Sequence, residues 1–432
     1  MSIRDFHLRT ALCLGAALTI AAVTGGATAA PAPATPPSST TTAPFSTPNT
    51  DGCPQKIRPP APIDESEVPS PGEPTPSALP VPSPPLGGAR MGECGVVIPK
   101  GAPPVPQDIS ATAWLVSDLD TGEVLAAKDP HGRYRPASTI KVLLATVALR
   151  KLDLNKVVTG TQEDANVDGT KVGIGPGGRY TNRQLMQALI MASGNDAAHA
   201  IAAQLGGDAG AVAQMNELAK SLHALDTRTA SPSGLDGPGM STSAYDLTVL
   251  FREAMSIPLF TELIHTEEVD FPGYPKSPEN PDDKDHPGFP IGNDNHLLYE
   301  YEGAIGGKTG FTDDARQTFV AAAERDGRRL AVTLLKADVK PLRPFLQAAR
   351  LLDYGFALPK GADVGQLPDS SAKPSKTGAV LASPPPKDTD QEVQASAEDN
   401  DRAGTRTLLV VGGIVVVLAL LLGARRRNRS RF

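Results

Sequence analysis

Little of this 432-residue chain is aromatic or sulfur-bearing: aromatic residues make up 4%, with one tryptophan and three cysteines. So few cysteines exclude a disulfide-dense scaffold and a multi-cysteine metal cluster. The seven histidines are scattered, and no H-x-x-E-H pattern occurs, which excludes a zinc carboxypeptidase of that type. No motif calls for a metal or a cofactor. Positive charge is not in excess, the formal net charge being −7. Without a basic stripe carrying interleaved aromatics, nucleic acid is not an expected partner. No internal repeat is present, so a solenoid is excluded as well.

Proline and glycine are abundant instead, at 42 and 41 residues, and unevenly spread. Residues 31–106 read as a Pro-rich extended arm and residues 359–406 as a disordered polar stalk. Both have too few large apolar side chains to offset the entropy of ordering them. Residues 107–358 are densely apolar and can hold one sizeable core. Long apolar runs occur at the two ends. Residues 1–30 read as a secretory signal peptide: Arg4, His7 and Arg9 precede the apolar Ala11 to Val23, and Ala27-Thr28-Ala29 offers a small-x-small cleavage site. Cys13 falls inside this leader, and Leu12 before it is the wrong residue for lipoprotein cleavage. Residues 407–424 read as a transmembrane helix, and the arginine-rich 425–432 as a cytoplasmic tail. The body is thus expected outside a cell membrane, anchored by a single pass. Cys53 and Cys94 remain after leader removal; they either pair, closing a loop across the arm, or stay as two free thiols.

Within the body, Ala113 to Val116 and Val124 to Ala127 read as strands flanking a turn at Asp118 to Glu123. A helix starts near Ser138, with Ile140, Leu143, Leu144 and Val147 at helical spacing. Thr181 to Met191, Ala197 to Leu205, Ala211 to Leu222 and Ser243 to Met255 read as further helices, the last opened by a Ser243-x-x-Asp246 cap. Residues 270–292 look like an exposed insertion. Thr318 to Ala323 and Arg329 to Leu335 read as strands around an Asp326-Gly327 turn. Pro344 to Tyr354 closes the body as a helix. This order predicts an α/β body: an antiparallel sheet built from both ends of the domain, flanked by helices, with a helical lobe between.

Three motifs stand in order: Ser138-Thr139-Ile140-Lys141, Ser193-Gly194-Asn195 and Lys308-Thr309-Gly310. Each alone is weak; the ordered trio is strong. Three apart on a helix, Ser138 and Lys141 share a face. A serine hydroxyl becomes a nucleophile when a neutral amine takes its proton, and burial plus a second cation at Lys308 push Lys141 toward neutrality. The helix N-terminus at Ser138 favours a developing oxyanion. Ser193 can relay a proton to a leaving amine, and Asn195 can hold a substrate carbonyl. Gly310 leaves room for a substrate backbone to pair along a strand edge.

The chain resembles the low-molecular-mass penicillin-binding proteins, the serine D-Ala-D-Ala carboxypeptidases. Beyond the trio, the resemblance rests on AWLVSDLDTGEVLAAKDP, PASTIK, SGNDAAHAIA, QMNELAKSL, SPSGLDGPGMSTSAYDL and NHLLYEYEGAIGGKTGFTDDA. It implies a β-lactamase/transpeptidase-like fold over roughly 109–356. It implies Ser138 as nucleophile, Lys141 as base, and Ser193, Asn195 and Lys308 in proton relay and substrate positioning. Thr309 and Gly310 complete the substrate strand. The backbone N–H groups of Ser138 and Phe311 would form the oxyanion hole, and Arg343 would meet the substrate's terminal carboxylate. The implied partners are peptidoglycan stem peptides, with β-lactams as covalent inhibitors. Two positions depart from the usual pattern: Ser233 replaces a histidine and Arg316 a glycine.

Two other functions are compatible with parts of the sequence. A class A β-lactamase needs a glutamate base on a loop some ~35 residues past the second motif. The sequence there reads Asp226-Thr227-Arg228-Thr229-Ala230, with no glutamate. A catalytically silent peptidoglycan-binding protein would suit the arm and stalk, but not an intact serine with two lysines.

Overall fold

The computed structural model describes residues 45–369; the expected leader 1–30, span 407–424 and tail 425–432, with the start of the arm and most of the stalk, lie outside the described residues. Among the described residues no helix is long and apolar enough to cross a membrane.

The strands are β1 (Val96–Val97), β2 (Ala113–Asp118), β3 (Glu123–Lys128), β4 (Val157–Thr159), β5 (Arg179–Thr181), β6 (Glu268–Phe271), β7 (Phe289–Gly292), β8 (Ala304–Thr312), β9 (Arg316–Arg325), β10 (Arg328–Ala337) and β11 (Gly365–Gln366). The helices are α1 (Lys141–Lys151), α2 (Gln162–Asn166), α3 (Asn182–Met191), α4 (Asn195–Gln204), α5 (Gly207–Ser221), α6 (Ala244–Met255), α7 (Pro258–His265), α8 (Leu297–Glu300) and α9 (Pro344–Ala357). Seven strands form one antiparallel sheet in the order β1-β3-β2-β10-β9-β8, with β11 also paired to β3. The two ends of the domain therefore do make the sheet, and β8 is left as an edge. β9 and β10 are joined through Asp326 and Gly327, whose positive φ values of 53° and 69° suit a tight hairpin turn.

β2 is buried along its whole length because both sheet faces are covered. On one face Leu115, Ala331 and Leu335 join the core of the helical lobe, which the sheet meets through α6. On the other, Val116, Leu330 and Val332 meet α9 through Leu351 and Leu352. Each of these buried leucines and valines contributes about 1.5–3 kcal/mol by leaving water. Gly355 lets α9 lie close: a Cβ there would stand 2.8 Å from Val116 Cγ1. Side-chain caps start α3 and α6, while α1, α4 and α5 have none. Thr181 and Gln184 form a reciprocal capping box on α3, and Ser243 Oγ accepts from the Asp246 N–H at 3.1 Å.

The packed body is larger than composition predicts. The segment 359–369, expected in the stalk, lies on the sheet: β11 pairs β3, and Leu367 is buried. The segment 270–292 is not a plain exposed insertion either. Its ends form the β6–β7 hairpin, and Phe271 is buried against Tyr180 with ring centroids 5.3 Å apart. The Pro, Asp and Gly content of its tip masked the alternation at its ends.

The largest difference concerns the arm. Residues 45–106 run as a strap bound to the body, nearly without regular structure. Cys53 and Cys94 are joined in a disulfide, with Cα atoms 5.2 Å apart. Met91 and Val97 enter the core. Buried cations of the body satisfy their donors on strap carbonyls. Arg133 donates to Ile57, Leu79 and Pro80 at 2.8, 2.6 and 2.7 Å, and Lys128 donates to Pro48. Such contacts replace the large apolar side chains that the arm lacks, and proline has little entropy to lose.

Candidate active site

The segment Pro136 to Lys141 enters a one-turn 3₁₀ helix at Ala137–Ile140 before α1 begins. Ala137 takes a positive φ of 47°, a strained conformation for alanine that the surroundings hold in place. Thr318 of β9 donates to the Pro136 carbonyl at 2.8 Å, and Thr139 donates to the same oxygen at 2.5 Å. Gly234 packs from behind, where a Cβ would collide with the Ala137 carbonyl. Gly310 of β8 packs from the front: a Cβ would lie 2.9 Å from the Ser138 nitrogen and 3.0 Å from that of Thr139. The absence of a side chain at 310 thus sets how near the edge strand comes to the helix start.

Lys141 is fully buried, and its Nζ lies 2.7 Å from Ser138 Oγ, 2.7 Å from Asn195 Oδ1 and 2.8 Å from the Ser233 carbonyl. The Asn195 amide is oriented by its Nδ2, which donates to Asp168 O at 2.7 Å. Two of the three Nζ partners are thus oxygens that only accept. A neutral amine has two hydrogens for them and one lone pair left, which meets the only partner able to donate, the Ser138 hydroxyl. Burial drives the Lys141 amine well below the ordinary lysine range, and the Lys308 charge adds to this; Asp196 and Asp294 partly oppose it. Lys308 is itself buried and pushed down to about 8 by burial, with Asp294 opposing. Its Nζ donates to the Thr309 carbonyl at 2.8 Å.

Ser193 is nearly buried, with a left-handed φ of 59° at the turn into α4. Among the described residues it makes no hydrogen bond to Ser138, Lys141 or Lys308. Asn195 is committed to Lys141 and to the 168 loop rather than left open for a ligand. Phe311 is 49% exposed on β8, one residue past Gly310. Arg343 stands at the head of α9 and lines a cleft of about 830 Å³ together with Thr309, Asp294, His296 and Lys340. Ser233, which replaces the usual histidine, contributes its carbonyl to Lys141; its hydroxyl lies 3.5 Å from the Leu235 nitrogen. Arg316 adopts φ 54°, the left-handed region in which glycine is favoured, and its guanidinium pairs with Asp338 at 3.1 Å.

Three contributors escaped sequence reasoning. Asp196 accepts the backbone N–H groups of Val172, Gly173 and Ile174, so it shapes the loop beside Asn195. Its place in the first turn of α4, directly after Ser-x-Asn, was a usable signal. Asp294 is fixed by its backbone N–H, which donates to Met191 O at 2.8 Å. Although the residue reaches solvent, the cleft walls desolvate its carboxyl and raise it, while Lys308, His296 and Lys141 pull the other way. No motif marks it. Thr318, the tie from β9 to Pro136, is likewise silent in sequence.

The model of the D-alanyl-D-alanine carboxypeptidase family, peptidase S11, matches residues 100–339. The chain is 46% identical over 275 residues to the D-alanyl-D-alanine carboxypeptidase DacB2 of Mycobacterium tuberculosis, covering 63% of this chain and 90% of the relative. It is 30% identical to DacF of Bacillus subtilis, covering 57% of this chain and 62% of that one. Among solved structures, a D-alanyl-D-alanine carboxypeptidase from M. tuberculosis is similar at a TM-score of 0.58 and 45% identity, covering 63% of this chain and all (100%) of the other. The Streptomyces K15 DD-transpeptidase is similar at a TM-score of 0.54 and 28% identity, over 59% of this chain and 100% of that one.

Proposed function

Because the chain belongs to the D-alanyl-D-alanine carboxypeptidase family, we propose that it removes the terminal D-alanine of peptidoglycan stem peptides through an acyl-enzyme on Ser138. The observation that carries this is the fully buried Lys141 amine, 2.7 Å from Ser138 Oγ, with both of its hydrogens engaged elsewhere. Lys141 takes the hydroxyl proton as Oγ attacks the carbonyl carbon between the two D-alanines. The oxyanion forms against the N–H groups of Ser138 and Phe311. As the C–N bond breaks, the proton held by Lys141 passes through Ser193 to the leaving amine, which leaves Lys141 neutral again. Water then attacks the ester, Lys141 again acting as base, and the shortened peptide leaves. The substrate backbone lies along the open edge of β8, and its carboxylate meets Lys308, Thr309 and Arg343. A β-lactam ring carbonyl presents the same amide to Ser138, which makes these drugs covalent inhibitors.

The test is release of free D-alanine from a pentapeptide ending in D-Ala-D-Ala by the full chain. Release that is absent in Ser138→Ala supports the reading; equal release by that variant removes it.

We infer that the catalytic body lies outside the cell membrane. The arginine run after the apolar 407–424 segment supports this, as does the Cys53–Cys94 disulfide, a bond of oxidising compartments. Protease added to intact cells is expected to digest the body. Full protection of the body would contradict this placement.

A further inference from the structure

The family match begins at residue 100, so most of the strap 45–106 lies ahead of it. Its contacts with the body fall at particular places. Arg135 is 2% exposed and ion-pairs with Glu67 of the strap; its Nε also lies 4.0 Å from Asp314 Oδ2. The strap's Ile63 N–H donates to Asp314 Oδ1 at 2.8 Å. Arg135 stands three residues before Ser138, and Asp314 three residues after Phe311. The two N–H groups of the oxyanion hole belong to these two separate elements, the 3₁₀ turn and β8. Within the body, Arg135 Nε reaches Asp314 Oδ2 at 4.0 Å, and Thr318 of β9, the strand paired to β8, donates to the Pro136 carbonyl at 2.8 Å. The strap adds a further link, gripping the Ser138 side through Glu67 and the Phe311 side through Ile63.

We propose that Glu67 and Ile63 are positioning residues that fix the spacing of the two oxyanion-hole N–H groups, making the strap a working part of the catalytic unit. This rests on the acyl-enzyme function proposed above. Oxyanion stabilisation demands donor placement within about 0.5 Å, and loss of one donor costs about 10²–10³ in rate. Slackening a tie displaces a donor without removing it, so a smaller loss is expected. Because the oxyanion exists only after attack, the loss falls on kcat rather than on KM.

The experiment uses the full chain and two variants, Glu67→Gln, which removes the charge facing Arg135, and Ile63→Pro, which removes the N–H facing Asp314. Rates are expressed per serine titrated by a labelled penicillin, so unfolded molecules do not count. The expected result is a fall of about tenfold in kcat for each variant, with KM within about twofold of the original. Arg90→Ala, a strap variant paired with Glu93 and the Ile98 carbonyl, is expected to leave kcat unchanged. A kcat within about twofold in both variants, or a loss confined to KM, overturns the proposal. If the unaltered chain releases no D-alanine, the carboxypeptidase reading fails by itself, and the penicillin acylation rate still reads the strap's effect.

Discussion

At the scale of single residues, two buried lysines are both pushed below the ordinary range, Lys141 in part by the Lys308 charge. In the proposed reaction Lys141 has to be neutral to accept a proton, and Lys308 has to be charged to meet a carboxylate. Burial lowers both, and Asp294 opposes it in both cases. A lowered Lys308 keeps its charge below about 8 and loses it as pH rises through that value. Activity is therefore expected to follow a bell-shaped pH profile with its alkaline limb near about 8, and its acid limb where Lys141 gains a proton. Asp294→Asn removes a charge that favours both ammonium forms, so both limbs should move to lower pH. Limbs that stay in place would show that Asp294 does not govern the lysines. Asn195→Asp makes the opposite change. It sets a carboxylate 2.7 Å from Lys141, raises that amine and protonates the base. The acid limb should then move to higher pH, and kcat at about pH 7 should fall by at least about tenfold.

At the scale of elements, function depends on how closely β8 approaches the 3₁₀ turn. Gly310→Ala would drive a Cβ against the Ser138 and Thr139 nitrogens and lift the strand edge. A loss of about 10² in acylation by a penicillin is expected, with the far-ultraviolet circular dichroism unchanged. Full acylation by this variant would mean the spacing is not critical. Most of these elements were legible in the sequence. Strands β2, β3, β9 and β10 showed apolar runs around turn residues, α3 had helical period, and α6 had both period and a cap. The motif trio also marked Ser138, Lys141 and Asn195, which meet at the Lys141 amine, and Lys308, whose charge acts on that amine. Two-residue strands such as β1 and β11 carry no period to detect. Asp294 and Thr318 act through contacts across the chain that no local pattern records. The strap was misjudged because its attachment uses backbone carbonyls, which composition does not display. The side chains that bind it, Arg133 and Arg135, lie in the body and have no local sign of burial.

At the scale of the whole molecule, the strap is closed on itself by one disulfide and packs with the sheet as a single unit. Cys53 and Cys94 are separated by 41 residues. By loop-closure entropy, Cys53→Ser with Cys94→Ser should lower stability by up to about 4 kcal/mol. Urea unfolding of the full chain measures this, and an unchanged midpoint would show that the strap is held without the bond. The unit places its catalytic cleft at the free edge of the sheet, where an extended peptide can add as a strand. That edge is open to substrate while both lysines behind it are closed to water.

Catalysis by this cleft turns on Ser138 as the acylated nucleophile. Intact-mass measurement of the full chain after exposure to a penicillin, followed by peptide mapping, addresses this directly. One covalent adduct on the peptide bearing Ser138, absent in Ser138→Ala, is the predicted result; no adduct, or an adduct that persists in the alanine variant, would contradict it.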